Sequence, residues 1–208
     1  METLESLFET PVAVEKIQQK LPEIFQLAEI ESSRAGKLGM EVGSVRERII
    51  VALLMMFFDR SVINTDTPIT EPETDVYLFD EPVSIKTITG KMIGGVKLIW
   101  TVDASKAKEF ALNYKPSCDM IFVHINWGER GGLYLISKEI QKEVLERLGR
   151  DNYIKLPKEG TNPRGVEITN VAMRELASHR KTKCIDIDWR RSEIEPDIYA
   201  KWLEAWQE

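Results

Sequence analysis

The stretch Glu71 to Thr89, EPETDVYLFDEPVSIKTIT, holds the residues whose types and spacing best suit chemistry. Asp75 opens a β-rich run, DVYLF, and a second run, VSIKTIT, follows Asp80-Glu81-Pro82, so the two read as a hairpin. Side chains alternate along a strand, which puts Ser84 and Lys86 on one face. Cross-strand neighbours lie about 5 Å apart, close enough for both to meet Asp75. A lysine in the middle of an apolar β run goes against strand propensity, and such local conflicts collect at functional sites. A fixed carboxylate beside an ammonium suits phosphodiester hydrolysis: the anion holds Mg²⁺ near the phosphate and the cation acts on the attacking water. The competing reading is a surface hairpin with a solvated lysine.

These residues need elements to hold them. Val12 to Glu29 places Val14, Ile17, Leu21, Ile24, Phe25 and Ala28 on one helical face. After the polar loop Ser32 to Gly43, Ser44 reads as an N-cap with Glu47 three residues on, a capping-box pattern opening a very apolar helix to Arg60. Beyond the hairpin the pattern predicts a strand over Val96–Val102 and a helix capped by Asp103 and ending at Asn113. It then predicts a buried strand over Asp119–Trp127, a strand over Leu133–Ile136 and a helix between Ser137 and Gly149. A helix over Asn170–Ser178, a strand over Lys183–Trp189 and a last helix over Pro196–Trp206 close the chain. The order predicts an α/β (α+β) fold with a central mixed β-sheet flanked by helices. No repeat or linker divides the chain, so one domain of 208 residues is expected, with N-terminal helices in 1–60, a core about 61–192 and a C-terminal helix in 196–207.

Composition narrows the class. The acidic start METLESLFET lacks the basic region of a secretory signal, and the longest apolar run, Ile49 to Phe58, is too short to span a membrane and reads as a buried helix. Cys118 and Cys184 sit beside apolar residues and read as core thiols in a reducing cytoplasm. The net charge of −6 argues against a nucleic-acid partner until its distribution is considered: removing the acidic tails 1–31 and 192–208 leaves the middle at +3. Lys86 to Lys115 holds six lysines, and Arg174 to Arg191 is a second basic stretch. Local potential, not net charge, governs phosphate binding, although any one such lysine is more often a solvated surface residue.

The hairpin resembles the PD-(D/E)xK nuclease motif, with Thr74 where the motif has proline and Ser84 where it has a second carboxylate. Four blocks, AEIESSRAGKLGMEVGSVRERI, PITEPETDVYLFDEPVSIKTITGK, GGVKLIWTVD and TNPRGVEIT, resemble the ThaI family of type II restriction endonucleases. The resemblance implies a restriction-endonuclease-like core and a homodimer that cuts double-stranded DNA at a short palindrome, CGCG, to blunt ends. It also implies one or two Mg²⁺ ions per site and a cognate methyltransferase in the same cell. Carried over by position, Asp75 is the metal-binding aspartate, Lys86 the catalytic lysine, and Ser84 the occupant of the second acidic position. The Ile85 carbonyl is a further metal ligand, and Glu47, where branches of the superfamily carry a glutamate on the preceding helix, is either that missing ligand or only a helix cap. A structure-selective repair nuclease of the same superfamily and a non-catalytic DNA-binding module are the competing functions.

For base reading, Arg164 in TNPRG leads, because arginine donates to guanine O6 and N7 and Pro163 and Gly165 shape its loop; Asn162 follows. Lys91 and Lys97 suit phosphates. Met40, in a polar loop with Arg34 and Lys37, has the character of an apolar wedge between base steps, against the alternative of tucking onto the core. His124 and His179 show no metal-ligand spacing, and Tyr199, Trp202, Leu203 and Trp206 form a stripe expected to dock the last helix or to meet a second subunit.

Overall fold

The computed structural model describes residues 3–34, 37–38, 42–67, 71, 73–157, 165–193, 197 and 200–207. Helices α1 (Ser6–Glu9) and α2 (Pro11–Glu31) lead through a ribbon of β1 (Ser33–Arg34) and β2 (Lys37–Leu38) into α3 (Val42–Phe58). Strands β3 (Ile63–Asn64), β4 (Val76–Leu78), β5 (Glu81–Thr89) and β6 (Val96–Ile99) precede α4 (Ala104–Asn113). Then come β7 (Asp119–Ile125), β8 (Arg130–Ile136), α5 (Lys138–Leu148), α6 (Arg150–Tyr153), β9 (Ile154–Lys155), β10 (Val166–Ile168), α7 (Asn170–Ala177), β11 (Lys183–Asp188) and α8 (Ala200–Gln207). No described helix is long and apolar enough to cross a membrane.

The main sheet runs β11-β8-β7-β5-β4-β3, parallel between β5 and β7 and antiparallel at every other pairing. It is the mixed, helix-flanked sheet that the element order predicts. Strand β7 is apolar on both faces, as a central strand must be: Ile121, Val123 and Ile125 pack with Phe25, Ile50 and Leu54, while Met120 and Phe122 pack with Val144 and Leu176. Helices α2 and α3 thus cover one face, and α5 and α7 the other. Strand β6 leaves this sheet and pairs with β10, which pairs with β9, in a three-stranded sheet that the sequence reading missed.

The β4–β5 hairpin is tighter than expected. Leu78 pairs with Glu81, so Phe79 and Asp80 alone make the turn, both at positive φ (53° and 65°), while Glu81 and Pro82 already belong to the strand. Two left-handed residues give the turn whose twist matches the flanking strands. The Phe79 ring meets Phe58 of α3 edge-on at 5.6 Å, which ties the hairpin to that helix.

Helix α3 is amphipathic where uniform burial was expected. Arg46, Ile50, Leu54 and Phe58, four apart, form its buried stripe, whereas Met56 is half exposed. It also begins at Val42, so Ser44 lies within the helix and is not its cap. Two further expectations fail. Cys184 is exposed on the edge strand β11, since alternate residues of an edge strand face solvent; Cys118 is buried as predicted. On α8, Leu203 and Trp206 are exposed, so that part of the stripe does not dock on the core, and the placement of Tyr199 and the Trp202 side chain lies outside the described residues. Elsewhere the caps hold: Asp103 accepts from Ser105 and Lys106 amides, and Ser137 from Ile140.

Candidate active site

Asp75 sits one residue before β4, where its amide still donates to the Val83 carbonyl (3.0 Å) and continues the ladder. Its side chain reaches across to β5, where three consecutive residues converge on Oδ2: Lys86 Nζ donates at 2.8 Å, the Ile85 amide at 2.6 Å and Ser84 Oγ at 3.3 Å. The ion pair is sheltered, with side chains 13% and 23% exposed for Lys86 and Asp75, and Ser84 is buried beneath it. Charge-assisted bonds of this kind are roughly twice as strong as neutral ones and hold both groups in fixed rotamers. The Ile85 side chain fills the core on the α3 side, and its amide faces Asp75; in an extended residue the carbonyl points to the same strand edge.

Glu47 lies on α3 one residue beyond the buried stripe and lines two adjoining grooves together with Asp75. One, about 580 Å³, is also walled by Lys86, Lys97, Trp100 and Glu167. Partial burial, and then the negative charge of Asp75, push the Glu47 carboxyl up to about 7 against the opposing pull of Lys86. The structure therefore brings Glu47, Asp75, Ser84, Ile85 and Lys86 into one site.

Two supports were not read from the sequence. Glu73 is buried, accepting from Tyr114 Oη and Ser117 Oγ, each at 2.8 Å; burial raises its carboxyl against those bonds, and the anchor fixes the backbone two residues before Asp75. Glu29, also buried at the end of α2, takes bonds from Arg46, from Arg191 (2.6 Å) and from Trp127 Nε1 (2.9 Å). The buried ion pair with Glu29 locks Arg46, the neighbour of Glu47, to α2, while burial lowers its guanidinium pKa against the pull of Glu29. Neither carboxylate has a sequence motif; each gains its meaning from partners distant in the chain.

Of the DNA-reading candidates, Met40, Asn162 and Arg164 lie outside the described residues. Arg34 and Lys37 are backbone partners in the β1–β2 register. Lys91 is exposed after β5, and Lys97 stands over the Trp100 ring at 3.9 Å within the groove that Asp75 and Lys86 also line. His124 is bonded to the Gly90 carbonyl at 2.9 Å and His179 lies 3.4 Å from Glu143, structural roles in both cases. Among the described residues no cluster of three or more His, Cys, Asp or Glu side chains forms a metal site. Two carboxylates remain, a donor set that suits an ion keeping several waters, as Mg²⁺ does.

A solved structure described as a restriction endonuclease in complex with substrate DNA is 51% identical to this chain, covers 99% of both chains and superimposes with a TM-score of 0.92. No curated protein matches the sequence. Together with the sheet and its flanking helices, this defines the class: a site-specific deoxyribonuclease with the restriction-endonuclease fold. The sequence model of restriction endonuclease ThaI matches residues 7–208, and the chain belongs to that family.

Proposed function

We propose that this enzyme is a homodimeric, Mg²⁺-dependent nuclease that cuts double-stranded DNA at CGCG to blunt ends, with Asp75, Glu47 and Lys86 as its catalytic centre. The observation that carries the reading is the convergence of Ser84, Ile85 and Lys86 on Asp75 at the wall of a groove shared with Glu47. Asp75, Glu47 and the Ile85 carbonyl would hold the ion, which when bound supplies Lewis-acid polarisation of the phosphate and an acidified water. Lys86 holds the attacking water and offers its positive charge to the phosphate oxygens as they gain charge. Ser84 takes the second acidic position without bringing a charge; its hydroxyl orients Asp75, and Glu47 replaces the missing carboxylate. Two carboxylates and one carbonyl suit a single ion better than a pair.

Arg164 and Asn162 are assigned to base reading, Met40 to a wedge supported by Arg34 and Lys37, and Lys91 and Lys97 to phosphates. One six-stranded sheet with helices on both faces supports a single domain. Double-stranded DNA as substrate, and a methyltransferase protecting the host's own sites, place the work in the cytoplasm. The test is digestion of a DNA of known sequence with Mg²⁺ and with EDTA, followed by mapping of the ends. Blunt cuts at CGCG with Mg²⁺ alone are expected; cuts at another sequence, or cutting in EDTA, overturn the corresponding part.

A further inference from the structure

Across the three-stranded sheet, Glu167 of β10 stands opposite Lys97 of β6 on one side and Lys155 of β9 on the other. Cross-strand partners project from the same face, so the sheet presents a transverse row of cation, anion and cation. Lys155 Nζ donates to one Glu167 oxygen at 3.1 Å, and Lys97 Nζ lies 3.7 Å from the other. The row begins in the groove that Lys97 and Glu167 line together with Asp75 and Lys86, and runs outward to the more exposed Lys155. Trp100, just past the end of β6 and 67% exposed, lines the same groove and carries the Lys97 ammonium on its ring at 3.9 Å. A large exposed ring gains little from water, and a cation held over it keeps its position at lower entropic cost than a free lysine.

We infer that the β6–β10–β9 sheet is a rail for the DNA backbone. Lys97 and Lys155 contact successive phosphates of the strand entering the catalytic groove, Trp100 aims Lys97, and Glu167 is their internal counter-ion. In the free protein Glu167 neutralises half of the row; on binding, phosphates take its place as partner of both lysines. Glu167 therefore opposes DNA binding by charge and competition, and because phosphates carry no sequence information it does so for every sequence alike. The inference rests on the nuclease reading of the neighbouring site.

The experiment measures binding of a CGCG duplex and of an unrelated duplex over a range of salt, with Ca²⁺ in place of Mg²⁺ to hold back cleavage. Glu167→Gln should tighten both about three- to tenfold at low salt and steepen the salt dependence by about one unit of slope. Lys155→Ala should weaken both and make the slope shallower by about one unit. Glu167→Asp, which restores the charge, should return values to those of the natural chain; a Glu167 role confined to holding the sheet would lower Tm without steepening the slope. Trp100→Ala should weaken both duplexes, and Trp100→Phe should recover most of the loss. A Glu167→Gln protein that binds both duplexes as the natural chain does overturns the rail while leaving the nuclease reading intact. A natural chain that binds neither duplex overturns both.

Discussion

At the scale of single residues, the site is a set of groups held in place by specific partners. Asp75 takes three donors on one oxygen, which fixes the position of its carboxylate. Asp75→Ala or Lys86→Ala should lower the cleavage rate roughly 10³-fold or more while leaving DNA binding in Ca²⁺ largely intact, measured by gel shift and plasmid cleavage. Full cutting by either protein would remove the assignment. Glu47 is the sharper case. Its folded pKa, about 7, lies above the ordinary 4.5, so the charged form is the disfavoured one. The resulting cost to stability is absent below 4.5, grows through the interval and is complete above about 7. In metal-free buffer Glu47→Gln should therefore raise stability at pH 8, on the order of 1 kcal/mol, and change it little at pH 5. With Mg²⁺ the natural enzyme should lose rate at low pH, with a midpoint below about 7 that moves lower as Mg²⁺ is raised, because proton and ion compete for the carboxyl, and Glu47→Gln should be slow at every pH. Scanning calorimetry at the two pH values and a pH–rate profile check both halves. Near-normal turnover by Glu47→Gln would return Glu47 to a structural role.

At the scale of elements, the hairpin and the flanking helices were legible because their signals are local. A lysine out of place in VSIKTIT, Ser137 and Gly149 bounding one helix, and Asp103 opening another each need only a few neighbouring residues. What escaped were the features made by distant partners. Strand β10, three residues long, is too short to show alternation and exists because Ile99 and Ile154 lie on either side to pair with it. Glu29 and Glu73 carry no local signal, and their roles come from Arg46, Arg191, Tyr114 and Ser117, which the fold brings to them. Ser44 misled because a capping-box pattern is satisfied by sequence alone, whereas the helix had already begun at Val42. Gly165 belongs to both groups, since the glycine of TNPRG is visible but its reason is not. At φ +112° it stands just before β10 and so close to β6 that a Cβ would lie 1.9 Å from the Ile99 carbonyl oxygen. Gly165→Ala should force the two strands apart and cost at least about 3 kcal/mol, seen as a lower Tm. Because the segment bearing Asn162 and Arg164 ends at Gly165, discrimination between CGCG and unrelated DNA should fall with it. An unchanged Tm would mean that the pairing at this point is not needed.

At the scale of the whole molecule, the charge pattern separates surfaces. The basic stretch Arg174 to Arg191, a candidate for phosphate binding by composition, is partly consumed within the protein: Lys183 pairs with Glu9 at 2.6 Å and Arg191 with Glu29. The acidic N-terminal helices thus neutralise one basic surface, while Lys86 and Lys97 of the Lys86–Lys115 stretch line the groove shared with Asp75, so a net charge of −6 coexists with a locally basic groove wall. The palindromic target proposed above calls for a two-fold assembly, in which each strand meets the same groups in the same orientation. The expected mass in sedimentation is about twice 23.9 kDa. Mass alone does not show that the two sites divide the work, but a mixed dimer does. A heterodimer of natural and Asp75→Ala subunits, isolated through two different tags, has one working groove facing one strand. It should turn supercoiled plasmid into nicked circles that accumulate, while the natural dimer gives linear DNA. If the heterodimer makes double-strand breaks as fast as the natural enzyme, one Asp75–Lys86 site serves both strands and the two-fold reading fails. If it makes neither nicks nor breaks, the sites are coupled, and the loss of one carboxylate is felt across the dimer.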